Sequence, residues 1–128
     1  MNMDWEESRS LACRVALEAW LEIRHYFKGE YDIDRKADGT ECTVADRTAD
    51  KFIVDRLRAV CGDAEYGFMS EESVNQPVRL ERNRVWIIDP IDGTRDFING
   101  SSHFSIHIAL VEKLEDDLYH PVAAVVYS

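Results

Sequence analysis

A chain of 128 residues, 45% hydrophobic and 31% charged, has the balance of a soluble globular protein, and its length allows one domain or part of one with a buried core. The net charge of −10 disfavours a nucleic-acid polymer or an anionic membrane as partner, so a phosphorylated ligand would need a local positive source, most simply bound cations. No stretch approaches membrane-spanning length, and the acidic segment Met1 to Glu7 lacks the basic and apolar regions of a signal peptide, so a cytoplasmic location is expected.

From Asp4 to about Lys28, the residues Trp5, Ala12, Val15, Ala16, Ala19, Ile23, Tyr26 and Phe27 recur at three and four, the stripe of a long amphipathic helix that Gly29 stops. Residues 30–42 have no sustained period and a turn signal at Asp38-Gly39, which predicts a loop with a short strand at Tyr31 to Asp34. Thr43-Val44-Ala45-Asp46 then opens a second helix as a capping box, with the stripe Ala49, Phe52, Ile53, Leu57 and Val60 and a stop at Gly62. Locally, Asp46 is as consistent with a cap as with a catalytic carboxylate. Cys13, Cys42 and Cys61 are odd in number and lack Cys-x-x-Cys spacing, so they read as small buried hydrophobes rather than disulfides or zinc ligands. Tyr66 to Met69 is a short strand that delivers Ser70-Glu71-Glu72-Ser73 into a loop; those glutamates gain interest if the strand lies beside the one ending at Asp89.

The stretch Val85-Trp86-Ile87-Ile88-Asp89-Pro90-Ile91-Asp92-Gly93-Thr94 carries the chemistry. Four apolar residues read as a strand buried on both faces, followed at once by acids, proline and glycine. Pro90 removes a backbone donor and fixes its own φ, and the carboxylates of Asp89 and Asp92 converge on one small volume. Held that close they repel, unless a hard divalent cation sits between them. Gly93 permits a tight turn, and Thr94 to Asn99 can start a short helix whose free N–H groups face an anion. Asp-Pro and Asp-Gly taken singly are ordinary turn dipeptides; an uncharged strand followed by two acids and Gly-Thr is not.

Beyond it, Phe104, Ile106, Ile108 and Leu110 alternate with Ser105, His107, Ala109 and Val111, the period of a strand. A polar loop with the solvated run Glu115-Asp116-Asp117 leads to a second strand, Pro121 to Tyr127, as an antiparallel hairpin. His103 and His107 are set aside as ligands, because the other candidate donors are oxygens.

Asp89-Pro90-Ile91-Asp92-Gly93-Thr94 after an apolar strand, Glu71-Glu72-Ser73 upstream and Thr43-x-x-Asp46 before that resemble the inositol monophosphatase family, lithium-sensitive, magnesium-dependent phosphomonoesterases. The resemblance implies an α+β chain that forms the N-terminal part of a layered αβαβα sugar-phosphatase fold, two helices packed on an antiparallel sheet. Residues 1–128 would be the metal-binding part of such a domain, with the C-terminal half absent. By the same resemblance Glu72, Asp89 and the carbonyl of Ile91 would bind one Mg²⁺, Asp89 with Asp92 a second, and Glu72 a third through water. Gly93 and Thr94 would offer backbone N–H groups to the phosphate. Thr94 paired with Asp46 would orient and help deprotonate the attacking water, and Lys36 resembles the lysine of the family's mobile loop.

The implied reaction is in-line attack of water on a phosphate monoester, with the metal lowering the pKa of water towards about 7. Positioning and charge supply most of the rate. The implied partner is a small phosphorylated substrate, an inositol monophosphate or, alternatively, a 3'(2'),5'-bisphosphate nucleotide; Arg95-Asp96 after Gly-Thr resembles the bacterial nucleotidases and equally fits broad-range bacterial inositol monophosphatase homologues. A homodimer is in keeping with the family, although nothing locates an interface. Family members carry a Trp-Asp-x-Ala motif in a second half, which is not among these residues, so the other reading is a truncated, non-catalytic module that binds a partner.

Overall fold

The computed structural model describes residues 3–26, 33–35, 41–70, 81–94, 97 and 104–128. Helix α1 (Trp5–Ile23) runs into a 3₁₀ turn at Arg24–Tyr26; strands β1 (Ile33–Arg35) and β2 (Glu41–Thr43) precede helix α2 (Val44–Cys61). Strands β3 (Tyr66–Ser70), β4 (Arg84–Asp92), β5 (Ser105–Lys113) and β6 (Tyr119–Tyr127) complete the order.

Local chemistry sets the helix ends. Asp4 accepts from the Glu7 N–H at 2.7 Å while Glu7 reaches back to the Asp4 N–H at 3.2 Å, a reciprocal cap that starts α1. Gly62 ends α2 with φ of 74° and an N–H bond to the Arg58 carbonyl at 2.8 Å. The loop expected across 30–42 contains a two-stranded ladder instead, with Ile33 opposite Thr43, so the predicted short strand begins later and finds a partner.

The helices lie on one face of a four-stranded sheet ordered β3-β4-β5-β6, α1 over β5 and β6 and α2 over β3 and β4. The α+β architecture and the two-helix layer are those expected. The sheet is mixed rather than wholly antiparallel: β3 runs parallel to β4, and only β4–β5 and β5–β6 are antiparallel. Residues 71–83 between β3 and β4 are enough for the crossover that a parallel pair requires. Ser70 therefore pairs with Ile88, and the end of β3 lies beside the end of β4.

Small residues let the layers close. Ala12, Ala16 and Ala19 of α1 and Ala45 and Ala49 of α2 are fully buried, and with Ile23, Ile53 and Leu57 they pack on Trp86, Ile88, Ile106, Ile108 and Leu110 of the sheet. Phe97 is buried and meets Phe104 edge-on at 5.0 Å. At the far end of β4, Arg84 bonds its cross-strand partner Glu112 at 2.5 Å, the Tyr66 hydroxyl at 2.9 Å and the Met3 carbonyl at 2.8 Å. Of the cysteines, Cys61 is buried as expected, whereas Cys13 is exposed because it falls off the buried stripe of α1.

Candidate functional site

The site is made by a break in register. From Arg84 to Asp89, β4 pairs residue for residue with β5, ending with Asp89 opposite His107; the next pair is Asp92 opposite Ser105. Three steps along β4 are thus matched by two along β5, which is a β-bulge, and Pro90 within it has no N–H to donate. The consequence is geometric. In an unbroken strand, residues three apart point to opposite faces. With one extra residue inserted, Asp89 and Asp92 share the face that His107 and Ser105 occupy, opposite Ile106 and Ile108 on the helix side. One ligand atom from each of Asp89, Asp92 and His107 falls within 4.8 Å of the others.

His107 Nε2 lies 3.6 Å from Asp92 Oδ2 and 2.7 Å from Ser105 Oγ. Asp92 is exposed and Asp89 half-buried. The donor set fits a divalent cation: two carboxylates supply hard oxygens and offset its charge, and the imidazole supplies a nitrogen.

Directly after the bulge, Gly93 has φ of 89°, a conformation that favours glycine, and its carbonyl accepts from the Phe97 N–H at 3.0 Å, closing one helical turn. That turn carries the Thr94 hydroxyl to Asp46 in the first turn of α2, where it donates to Oδ1 at 2.9 Å; the Ile91 carbonyl is a longer alternative at 3.3 Å. Asp46 is 2% exposed, so its carboxylate is tied to Thr94 in the interior rather than spent at the surface.

The structure therefore brings together Asp46 with Thr94, and Asp89 with Asp92; in sequence Ile91 lies between the two aspartates and Gly93 between Asp92 and Thr94. Glu72 and Lys36 lie outside the described residues, as do Glu71, Ser73 and His103. The parallel pairing places Ser70, the last residue of β3, beside Ile88, one residue before Asp89.

Sequence reasoning set His107 aside, yet the alternation of β5 already puts it on the face away from Ile106 and Ile108, with the ladder placing it across from Asp89. It also passed over Asp50, buried in α2, which accepts a short hydrogen bond from Ser70 Oγ at the end of β3. The available signal was spacing: Asp46 and Asp50 are four apart, on the buried stripe of their helix. The second of these pairs fixes the end of β3 against α2, and the first fixes the turn after β4 against the same helix.

The sequence model of the inositol monophosphatase family matches residues 4–128. The chain belongs to the inositol monophosphatase family. The 3'(2'),5'-bisphosphate nucleotidase CysQ of Escherichia coli is 34% identical over 121 residues, covering 91% of this chain and 49% of the relative. A 3'-phosphoadenosine 5'-phosphate phosphatase of Mycobacterium leprae is 47% identical over 70 residues, 53% of this chain and 25% of the relative. A solved staphylococcal inositol monophosphatase-1 superposes with a TM-score of 0.80 at 21% identity over 99% of this chain and 46% of that one, which shows the shared fold. This inositol monophosphatase family chain spans about half the length of the curated relatives it matches. No helix among its described residues is long and apolar enough to cross a membrane.

Proposed function

We propose that this chain supplies the N-terminal, metal- and phosphate-binding part of a Mg²⁺-dependent, lithium-sensitive phosphomonoesterase that hydrolyses a small phosphorylated metabolite. The observation that carries the reading is the bulge of β4, which puts Asp89 and Asp92 on one face, with Thr94, bonded to Asp46, two residues further along the chain. Asp89 and Asp92 would hold the ion, with the Ile91 carbonyl and Glu72 completing its oxygen donors. A bound divalent cation supplies charge neutralisation for the phosphate and lowers the pKa of water.

The chain's own groups do the rest. The Thr94 hydroxyl accepts a hydrogen bond from the attacking water while donating to Asp46, so a proton can pass from water to Thr94 Oγ1 and from there to Asp46 Oδ1. Burial of Asp46 keeps that carboxylate from exchanging its partner for bulk water. The backbone N–H groups of Gly93 and Thr94 meet the phosphate oxygens, and Lys36 adds a positive charge to a chain that otherwise repels them.

Two substrate classes compete, inositol monophosphates and 3'(2'),5'-bisphosphate nucleotides. The names of the Escherichia coli and Mycobacterium leprae relatives favour the nucleotide. The test is phosphate release from 3'-phosphoadenosine 5'-phosphate and from inositol 1-phosphate, with and without Mg²⁺ and with added Li⁺. It is run on this chain and, where the reading frame continues past the Ser128 codon, at full encoded length. Turnover of either substrate that needs Mg²⁺ and is lost with Li⁺ supports the phosphatase reading, and the faster substrate sets the class. Inertness of the full-length protein towards both and towards other small phosphate monoesters would refute it.

A further inference from the structure

We propose that His107 is a nitrogen donor to the divalent ion held by Asp89 and Asp92, so that this centre binds Mn²⁺ or Co²⁺ more tightly than an all-oxygen site would, relative to Mg²⁺. The inference deepens the functional reading above and rests on its metal site.

The argument begins with the ladder. His107 is the register partner of Asp89, so the two side chains emerge side by side from adjacent strands on the same face. The bulge then brings Asp92 onto that face, with its Oδ2 at 3.6 Å from His107 Nε2. Neighbouring donors around a six-coordinate ion with bonds of about 2.1 Å stand about 3 Å apart. The nitrogen and the carboxylate therefore need only a small side-chain adjustment to share one ion. Ser105, the register partner of Asp92, holds Nε2 at 2.7 Å through its hydroxyl and keeps the ring turned to the carboxylates. On metal binding the lone pair of Nε2 passes to the ion, and the Ser105 hydroxyl is released to a new partner.

A simple His–Asp ion pair would explain the contact with Asp92 but not the convergence of Asp89 on the same point. Imidazole raises affinity for first-row transition ions, whereas Mg²⁺ prefers oxygen. The nitrogen thus changes the order of metals as well as their affinity.

The experiment is pulsed EPR of the purified protein loaded with Mn²⁺, with calorimetric titration of Co²⁺ and Mg²⁺ alongside. The expected spectrum shows modulation from a directly bound imidazole nitrogen, altered when the histidines are isotopically labelled and lost in both His107→Asn and Asp89→Asn. Co²⁺ affinity falls about tenfold or more in His107→Asn, with Mg²⁺ affinity changed less than about twofold. Isotopic labelling of the unchanged protein shows whether a histidine nitrogen binds the ion, and His107→Gln, closer in size to the imidazole, assigns that nitrogen to His107 should His107→Asn fail to fold. Mn²⁺ bound in an Asp89-dependent way without nitrogen modulation would overturn the role of His107 and leave the functional reading standing. Absence of any Asp89-dependent binding of Mn²⁺ or Mg²⁺ would remove the metal centre itself, and both readings with it.

Discussion

The Thr94 hydroxyl donates to Asp46 Oδ1 at 2.9 Å, joining the turn that follows β4 to the first turn of α2. Because Asp46 is 2% exposed, removing the donor withdraws a hydrogen bond from a buried carboxylate. Thr94→Val is expected to lower stability by about 1–3 kcal/mol in urea titration. Thr94→Ser, which keeps the hydroxyl, should stay near the parent. If the proton path proposed above operates, Thr94→Val also slows phosphate release by about a hundredfold or more, while Thr94→Ser retains most of it. A Val variant with unimpaired turnover would confine the Thr94–Asp46 pair to structure.

Asp89 and Asp92 share a face only because of the bulge, and without an ion their charges oppose one another. Asp89→Asn removes that repulsion, so the metal-free variant should be as stable as the parent or slightly more so. Saturating Mn²⁺ or Mg²⁺ should then raise the melting temperature of the parent and leave the variant unmoved. Ligand at about a hundred times its dissociation constant stabilises by about 2.7 kcal/mol. Thermal melts of both proteins with metal and with a chelator check this, and an equal rise in the two would take Asp89 out of the site.

These relationships divide into what the sequence displays and what it conceals. The apolar run before Asp89 and the period of Ile106, Ile108 and Leu110 are local patterns, so both strands could be read with their approximate limits. The glycine at position 62 likewise marks the end of α2 directly. The shared face of Asp89 and Asp92 depends on a pairing with β5 that neither stretch reveals alone, since two residues three apart point oppositely in any regular strand. The same holds for His107, whose importance lies in being across from Asp89. The parallel pairing of β3 with β4 was missed because strand direction is a property of the crossover, not of the residues in the strands. The Asp50–Ser70 contact joins positions twenty apart through packing, beyond any local signal.

Gly62 allows a clean measurement of backbone strain. Its φ is 74°, and a Cβ placed there meets no heavy atom within 4 Å. Gly62→Ala therefore introduces no clash, and its cost is the left-handed conformation alone, about 1–2 kcal/mol. Urea denaturation should show the midpoint falling with an unchanged slope, since the surface exposed on unfolding is the same. A loss well outside that range would mean that the C-terminal turn of α2 rearranges.

Cys61 links burial to pH. Its side chain is buried at the end of α2, and desolvation pushes the thiol above its ordinary value of 9.0, with the Trp86 indole opposing the shift. The native state therefore holds the thiol proton more tightly than the unfolded chain does. Below the unfolded value both states are protonated and the advantage is fully present. As pH rises past about 9 the unfolded chain ionises first, and stability falls until the folded pKa is passed. Cys61→Ala removes this component, so urea midpoints from pH 7 to about 10.5 should decline more steeply for the parent than for the variant, even though the variant starts lower for its lost volume. Thiol reagents at neutral pH should modify exposed Cys13 before Cys61. Parallel decline of parent and variant would show that Cys61 ionises as readily in the folded protein as in the unfolded chain.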